Sequence, residues 1–142
     1  MVSDLAKAVD VLSARYGVPR KKITVGGASV GANLAFRYAA KNEDVPFVIL
    51  LSPGLNYQGL TTPDLVALYG KRPLAMAAGA GDPGALNTVN VLERMCPDKS
   101  RVTVFREGPA AGHGVQMFKR SDEKAPSDLE KSIVEWIEAH AK

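Results

Sequence analysis

Apolar and polar positions follow two periods along this chain, and the points where one period gives way to the other mark out its elements. In residues 3–16, Leu5, Val9, Leu12 and Tyr16 share one helical face, with Asp4, Lys7 and Asp10 off it. That spacing predicts a helix, which Gly17 and Pro19 bring to an end. The β-branched stretch 23–28 predicts a strand, and the Ala- and Leu-rich segment 30–41 a helix. After a polar turn from Asn42 to Asp44 comes "PFVILLS" (46–52), apolar along its whole strand length. A run without polar alternation predicts a parallel strand covered on both faces. The "PGLNYQG" stretch predicts a loop, 62–69 a short helix and "RPLAMAAG" (72–79) a third strand. A helix over 84–95 and a fourth strand, "RVTVFR" at 101–106, follow. A long loop rich in Gly, Ala and Pro then carries His113. The last helix opens on "SDLE" (127–130), a Ser-x-x-Glu capping box, and lines up Leu129, Ile133, Trp136 and Ile137 on one side.

Helices alternating with strands in this order predict an α/β fold of three layers: a short, mainly parallel sheet of about four strands with flanking helices and right-handed crossovers. At 142 residues, 46% of them hydrophobic, the chain has material for one core, and a single domain over 1–142 is expected. A formal charge of +3 adds little, because the basic residues are dispersed. Their one tight cluster, Arg20-Lys21-Lys22, follows Pro19 before a strand and reads as a solvated turn, so no nucleic-acid partner is expected. A single cysteine, Cys96, forms no intrachain disulfide, and its place before Pro97 at a helix end assigns it a structural role. No apolar run approaches membrane-spanning length, and Asp4, Lys7 and Asp10 interrupt the first 15 residues as a signal peptide's apolar segment would not be. A soluble, cytoplasmic protein with no membrane partner is expected.

The chemistry concentrates in "ITVGGASVGANLAF" (23–36), where a strand runs into Gly-x-Ser-x-Gly and straight on into a helix. This is the nucleophile-elbow pattern, filled by "GASVG" at 27–31. A serine at such a turn occupies a strained backbone position, and small neighbours let strand and helix approach. Ser29 would project its hydroxyl into the crevice at the sheet's carboxyl edge. The amide of Val30, in the first turn of the helix, points at the same space and can stabilise an oxyanion. A glycine-rich packing turn is the bland alternative. A phosphate loop fails, because Ala32 and Asn33 stand where Lys and Ser or Thr are required after the Gly26 to Gly31 spacing, and Gly-x-Gly-x-x-Gly is absent.

An activated serine needs a base and an orienting acid. Of the two histidines, His140 lies near the end of the last helix, where solvent exposure explains it, whereas His113 sits in "GPAAGHGV" just beyond the fourth strand. His113 is therefore the favoured base. Asp82, in "AAGAGDPGA" beyond the third strand, is the favoured acid, with capping of the following helix as its competing role. Glu107 and Asp64 are its rivals. Ser29, Asp82 and His113 each follow the carboxyl end of a strand, where open parallel sheets bind their ligands.

With these residues in place the sequence resembles the C-terminal half of an α/β-hydrolase, closest to the bacterial esterase and dienelactone-hydrolase-like branch. The likeness runs from the helix before "ITVGGASVGAN" to "AGHGV" and the closing helix. It implies Ser29 as nucleophile, Asp82 as acid, His113 as base, Val30 as one oxyanion donor and "LSPGLNY" as the loop lining the acyl pocket. Several strands precede the elbow in that family, where this chain has one helix, and the family's second oxyanion donor lies among them. Weak activity is therefore expected unless an amide near Gly54, or a second chain, substitutes. The same difference leaves the outer edge of the 23–28 strand unpaired, so a homo-oligomer covering it is expected. The expected function is hydrolysis of small carboxylic esters, with short acyl chains, no metal and no organic cofactor. A catalytically impaired interaction module, or a thioesterase, acyltransferase or peptidase, remain the alternatives.

Overall fold

A computed structural model describes residues 1–119 and 127–142. Residues 120–126, the last part of the stretch that the sequence predicts as a long loop, lie outside the described residues.

The chain opens with α1 (Val2–Tyr16), which Gly17 closes in the left-handed region at φ 67°. Strand β1 (Val25–Ala28) passes through Ser29 into α2 (Val30–Lys41) and on to β2 (Val48–Leu51). A two-stranded hairpin follows, β3 (Asn56–Tyr57) and β4 (Leu60–Thr61), and then the short α3 (Val66–Tyr69). The remaining elements are β5 (Leu74–Gly79), α4 (Pro83–Met95), β6 (Val102–Glu107) and α5 (Asp128–His140). The four long strands form one parallel sheet in the order β1-β2-β5-β6. Each therefore lies beside its predecessor in the chain, and all four carboxyl ends fall on one edge.

Alternation along the strands builds the layers, because successive side chains point to opposite faces. Val48 and Leu50 of β2 join Leu74, Met76 and Ala78 of β5 in a core completed by α1, α2, α3 and α4. The intervening Leu51, Ala75 and Ala77 meet Leu129, Ile133 and Trp136 of α5 on the other face. This is the three-layer α/β arrangement that the apolar runs predict. The predicted capping box starts α5: the Ser127 hydroxyl accepts from Glu130 N–H at 3.1 Å, and the Glu130 carboxylate accepts from Ser127 N–H at 2.6 Å.

Two features were not legible in the pattern. The stretch read as loop contains the β3–β4 hairpin, in which Asn56 pairs with Thr61 and Tyr57 with Leu60. Arg72 spans the end of α2, donating to the carbonyls of Ala39, Asn42, Val45 and Tyr69 at 2.7–3.1 Å. Its planar fork satisfies carbonyls that the helix end leaves open. Strand β1 pairs only with β2 among the described residues, so its outer edge is open. Among the same residues, no helix is long and apolar enough to cross a membrane.

Candidate active site

Ser29 is the single residue between β1 and α2, with φ 56° and ψ −126°. Its N–H donates to Leu51 O at 2.9 Å and extends the ladder with β2. Its carbonyl accepts from Ala32 N–H at 2.9 Å and opens the helix. Strand and helix thus turn on one left-handed residue, a conformation that costs a non-glycine residue on the order of 1–3 kcal/mol. The turn is close because Gly27 has no side chain: a Cβ there would stand 2.2 Å from Gly31 O and 2.8 Å from Ala32 N. Gly31 faces open space and makes no such demand. Val30 is the first residue of α2, so its N–H has no acceptor inside the helix and is free for an anion.

Asp82 caps α4 and also pairs with the histidine. One carboxylate oxygen accepts from Ala85 N–H at 3.3 Å, and the other accepts from His113 Nδ1. The two roles that compete in the sequence are divided between two oxygens of one carboxylate. With Nδ1–H donated to Asp82, His113 holds the tautomer whose Nε2 lone pair is free to take a proton. The carboxylate side chain is 18% exposed and the imidazole 42%, so the imidazole reaches solvent while its partner is sheltered. The two loops meet closely: a Cβ at Gly81 would lie 2.2 Å from Pro109 O. On the far side of His113 its own N–H donates to the Gln116 side chain at 3.0 Å.

The structure therefore joins Asp82 to His113 directly. His113 and Ser29 share no hydrogen bond among the described residues. The His113 loop nevertheless reaches the strand that leads into Ser29, since a Cβ on Gly114 would lie 3.3 Å from Ala28 Cβ. Hydrogen bonds of this kind are commonly long in unliganded sites and tighten around substrate. His113 Nδ1 is paired with Asp82 and not with a rival acid. His140 stacks on Trp136 at 4.1 Å and its Nδ1 donates to Trp136 O at 2.7 Å. Asp64 is exposed in a short helical turn, and the Glu107 carbonyl accepts from Ala80 N–H at 2.9 Å.

The expectation that the Gly54 amide supplies the second oxyanion donor is corrected. That N–H is buried and donates to Asn33 Oδ1 at 3.0 Å, so it is already occupied. Asn33 is a residue that sequence reasoning missed. Fully buried on α2, it donates from Nδ2 to Gly54 O at 2.8 Å and to Leu60 O at 2.6 Å, clamping the β3–β4 hairpin onto the helix that follows Ser29. The available signal was a polar amide among the alanines of an otherwise apolar helix face, since a buried polar residue needs partners. Tyr57, carried by that hairpin, lays its ring on Gly54, where a Cβ would be 2.5 Å from Tyr57 Cζ. Its phenol is held above the ordinary range by burial and, second, by the negative charge of Asp82. Among the described residues, no group of three or more His, Cys, Asp or Glu is arranged to hold a metal ion.

A solved esterase of Pyrococcus furiosus superimposes on 99% of this chain with a TM-score of 0.74 and 15% sequence identity. The chain folds as part of an esterase does. A second crystal form of that enzyme matches with a TM-score of 0.73 and 14% identity, again over 99% of this chain. The esterase-like fold of this chain spans 62% of the length of either solved chain. No protein-family model matches the sequence, and no curated protein matches it.

Proposed function

We propose that this protein is a serine hydrolase of carboxylic esters, in which Ser29 is the nucleophile, His113 the base and Asp82 its orienting acid. The observation that carries the reading is the Asp82–His113 pair, set at the same carboxyl edge of the sheet as a serine in a left-handed elbow. A packing turn would need neither the strained serine nor the paired imidazole. The likeness in fold to an esterase supports the same reading.

In this mechanism Ser29 Oγ attacks the ester carbonyl carbon as its proton passes to His113 Nε2. Negative charge collects on the carbonyl oxygen, against the Val30 amide. Collapse expels the alcohol, which leaves with the proton from His113, and an acyl-serine remains. Water then attacks the acyl carbon, gives its proton to His113 and releases the acid, restoring Ser29. Each oxyanion donor contributes on the order of 10²–10³ in rate.

The test is labelling with a fluorophosphonate serine probe, beside Ser29→Ala and His113→Ala variants. The expected outcome is stoichiometric labelling of the parent protein, none of Ser29→Ala, and labelling of His113→Ala slowed by on the order of 10³-fold or more. Labelling that survives Ser29→Ala, or a parent protein that never labels, overturns the assignment. A series of p-nitrophenyl esters of increasing length then reads the acyl preference.

A further inference from the structure

A second serine at the sheet's carboxyl edge lies outside the mechanism. Ser52 is the residue after β2, as Ser29 is the residue after β1, and it too has a left-handed backbone, with φ 48°. Its N–H donates to Ala77 O at 2.8 Å, so the strand ladder holds it firmly at the end of the sheet. Unlike Ser29 it is fully buried.

A buried position with positive φ favours glycine, which adopts it without strain and places no polar group in the interior. What serine adds here is a hydroxyl oxygen, and that oxygen is used. Ser52 Oγ accepts from Gly114 N–H at 2.8 Å, across 62 residues of sequence. Gly114 immediately follows His113 and itself has φ 57°. Its Cα faces Ala28, the residue before the nucleophile, with 3.3 Å left for a Cβ. The imidazole is thus set from two directions, by Asp82 at Nδ1 and by the backbone of the next residue fastened to the end of β2.

We infer that Ser52 is a positioning residue for the base, its buried hydroxyl fixing the His113–Gly114 turn against the end of β2, beside the strand that leads into Ser29. The inference rests on the hydrolase reading for its kinetic consequence only. Released from Ser52, the turn holds its Nδ1–H bond to Asp82 only part of the time and loses the backbone register that presents the imidazole to the crevice. Substrate binding does not involve Ser52, which is buried, so the effect falls on kcat.

The experiment compares the parent protein with Ser52→Gly, which removes the hydroxyl and relieves the left-handed strain, and with Ser52→Ala, which removes the hydroxyl alone. Proton NMR reads the low-field Nδ1–H resonance of His113, assigned by its loss in His113→Ala, and ester hydrolysis reads kcat and KM separately. In both Ser52 variants the resonance is expected to broaden or vanish, and kcat to fall about tenfold, the worth of one hydrogen bond, with KM within twofold. Thermal unfolding shows that each variant is folded. A resonance as sharp as the parent's in a folded variant overturns the inference, as does a fall in kcat/KM carried by KM alone. If the parent protein hydrolyses no ester, the hydrolase reading fails, while the resonance still decides whether Ser52 positions His113.

Discussion

The elbow rests on one close approach, and replacing Gly27 by alanine tests it. A Cβ at that position would meet Gly31 O at 2.2 Å and Ala32 N at 2.8 Å, both backbone atoms of the helix that begins at Val30. No side chain can rotate away to make room. Strand and helix must part by about 1 Å, and overpacking against backbone sits at the upper end of its usual range, about 3 kcal/mol. For a chain of this size that lowers Tm by roughly 10 °C. The same displacement moves Ser29 and Val30 relative to His113, and a misplacement of that size costs on the order of 10²-fold in rate. Gly31→Ala is the matched control, because its Cβ enters open space and alanine gains up to about 1 kcal/mol of helix stability over glycine. The assay is thermal and urea unfolding of both variants together with their rates of fluorophosphonate labelling. Gly27→Ala should unfold early and label about a hundredfold slower, while Gly31→Ala matches or exceeds the parent in stability and labels within a few-fold of it. Equal unfolding midpoints and equal labelling rates for the two variants would refute the account of why the elbow needs its first glycine.

Two further outcomes follow from other parts of the structure. Asn33→Ala removes three hydrogen bonds and leaves the Gly54 amide and the Leu60 carbonyl without their partner, which should cost about 3 kcal/mol in urea unfolding. A loss below about 1 kcal/mol would show that the hairpin does not depend on this clamp. Burial raises the Tyr69 phenol pKa above its ordinary value of 10.0, against the opposing effect of the Arg72 guanidinium stacked 4.3 Å from its ring. A raised folded pKa binds the proton more tightly than the unfolded chain does, so its stabilisation is complete below pH ~10 and is lost as pH rises beyond that. Urea midpoints measured upward from about pH 8 should fall past that point, and Tyr69→Phe should flatten the fall.

The sequence was most legible where the controlling interactions are local. Hydrophobic period and stop signals located the long helices and strands to within a few residues, because each responds to neighbours within one or two turns. The capping box at Ser127 and the elbow around Ser29 were legible for the same reason. The hairpin at Asn56–Thr61 was not, since its strands of two residues each carry no period of their own and are held by Asn33 from a helix more than 20 residues away. Gly54 shows the opposite failure. A free amide near the crevice was a sound expectation from position alone, but whether an amide is free depends on what packs against it, and here a buried asparagine does.

The sequence by itself determined the α/β alternation, the turn at Ser29, and the placing of an acid and a histidine after successive strands. It also stated the demand, in Ser29, for a base. Only the tertiary structure decided which oxygen of Asp82 caps a helix and which faces His113, and which buried serine fastens the turn of that histidine. Local rules reach a few residues along the chain. The bond from Gly114 to Ser52 crosses 62 residues, and it exists because parallel strands with crossovers bring every carboxyl end to a single edge.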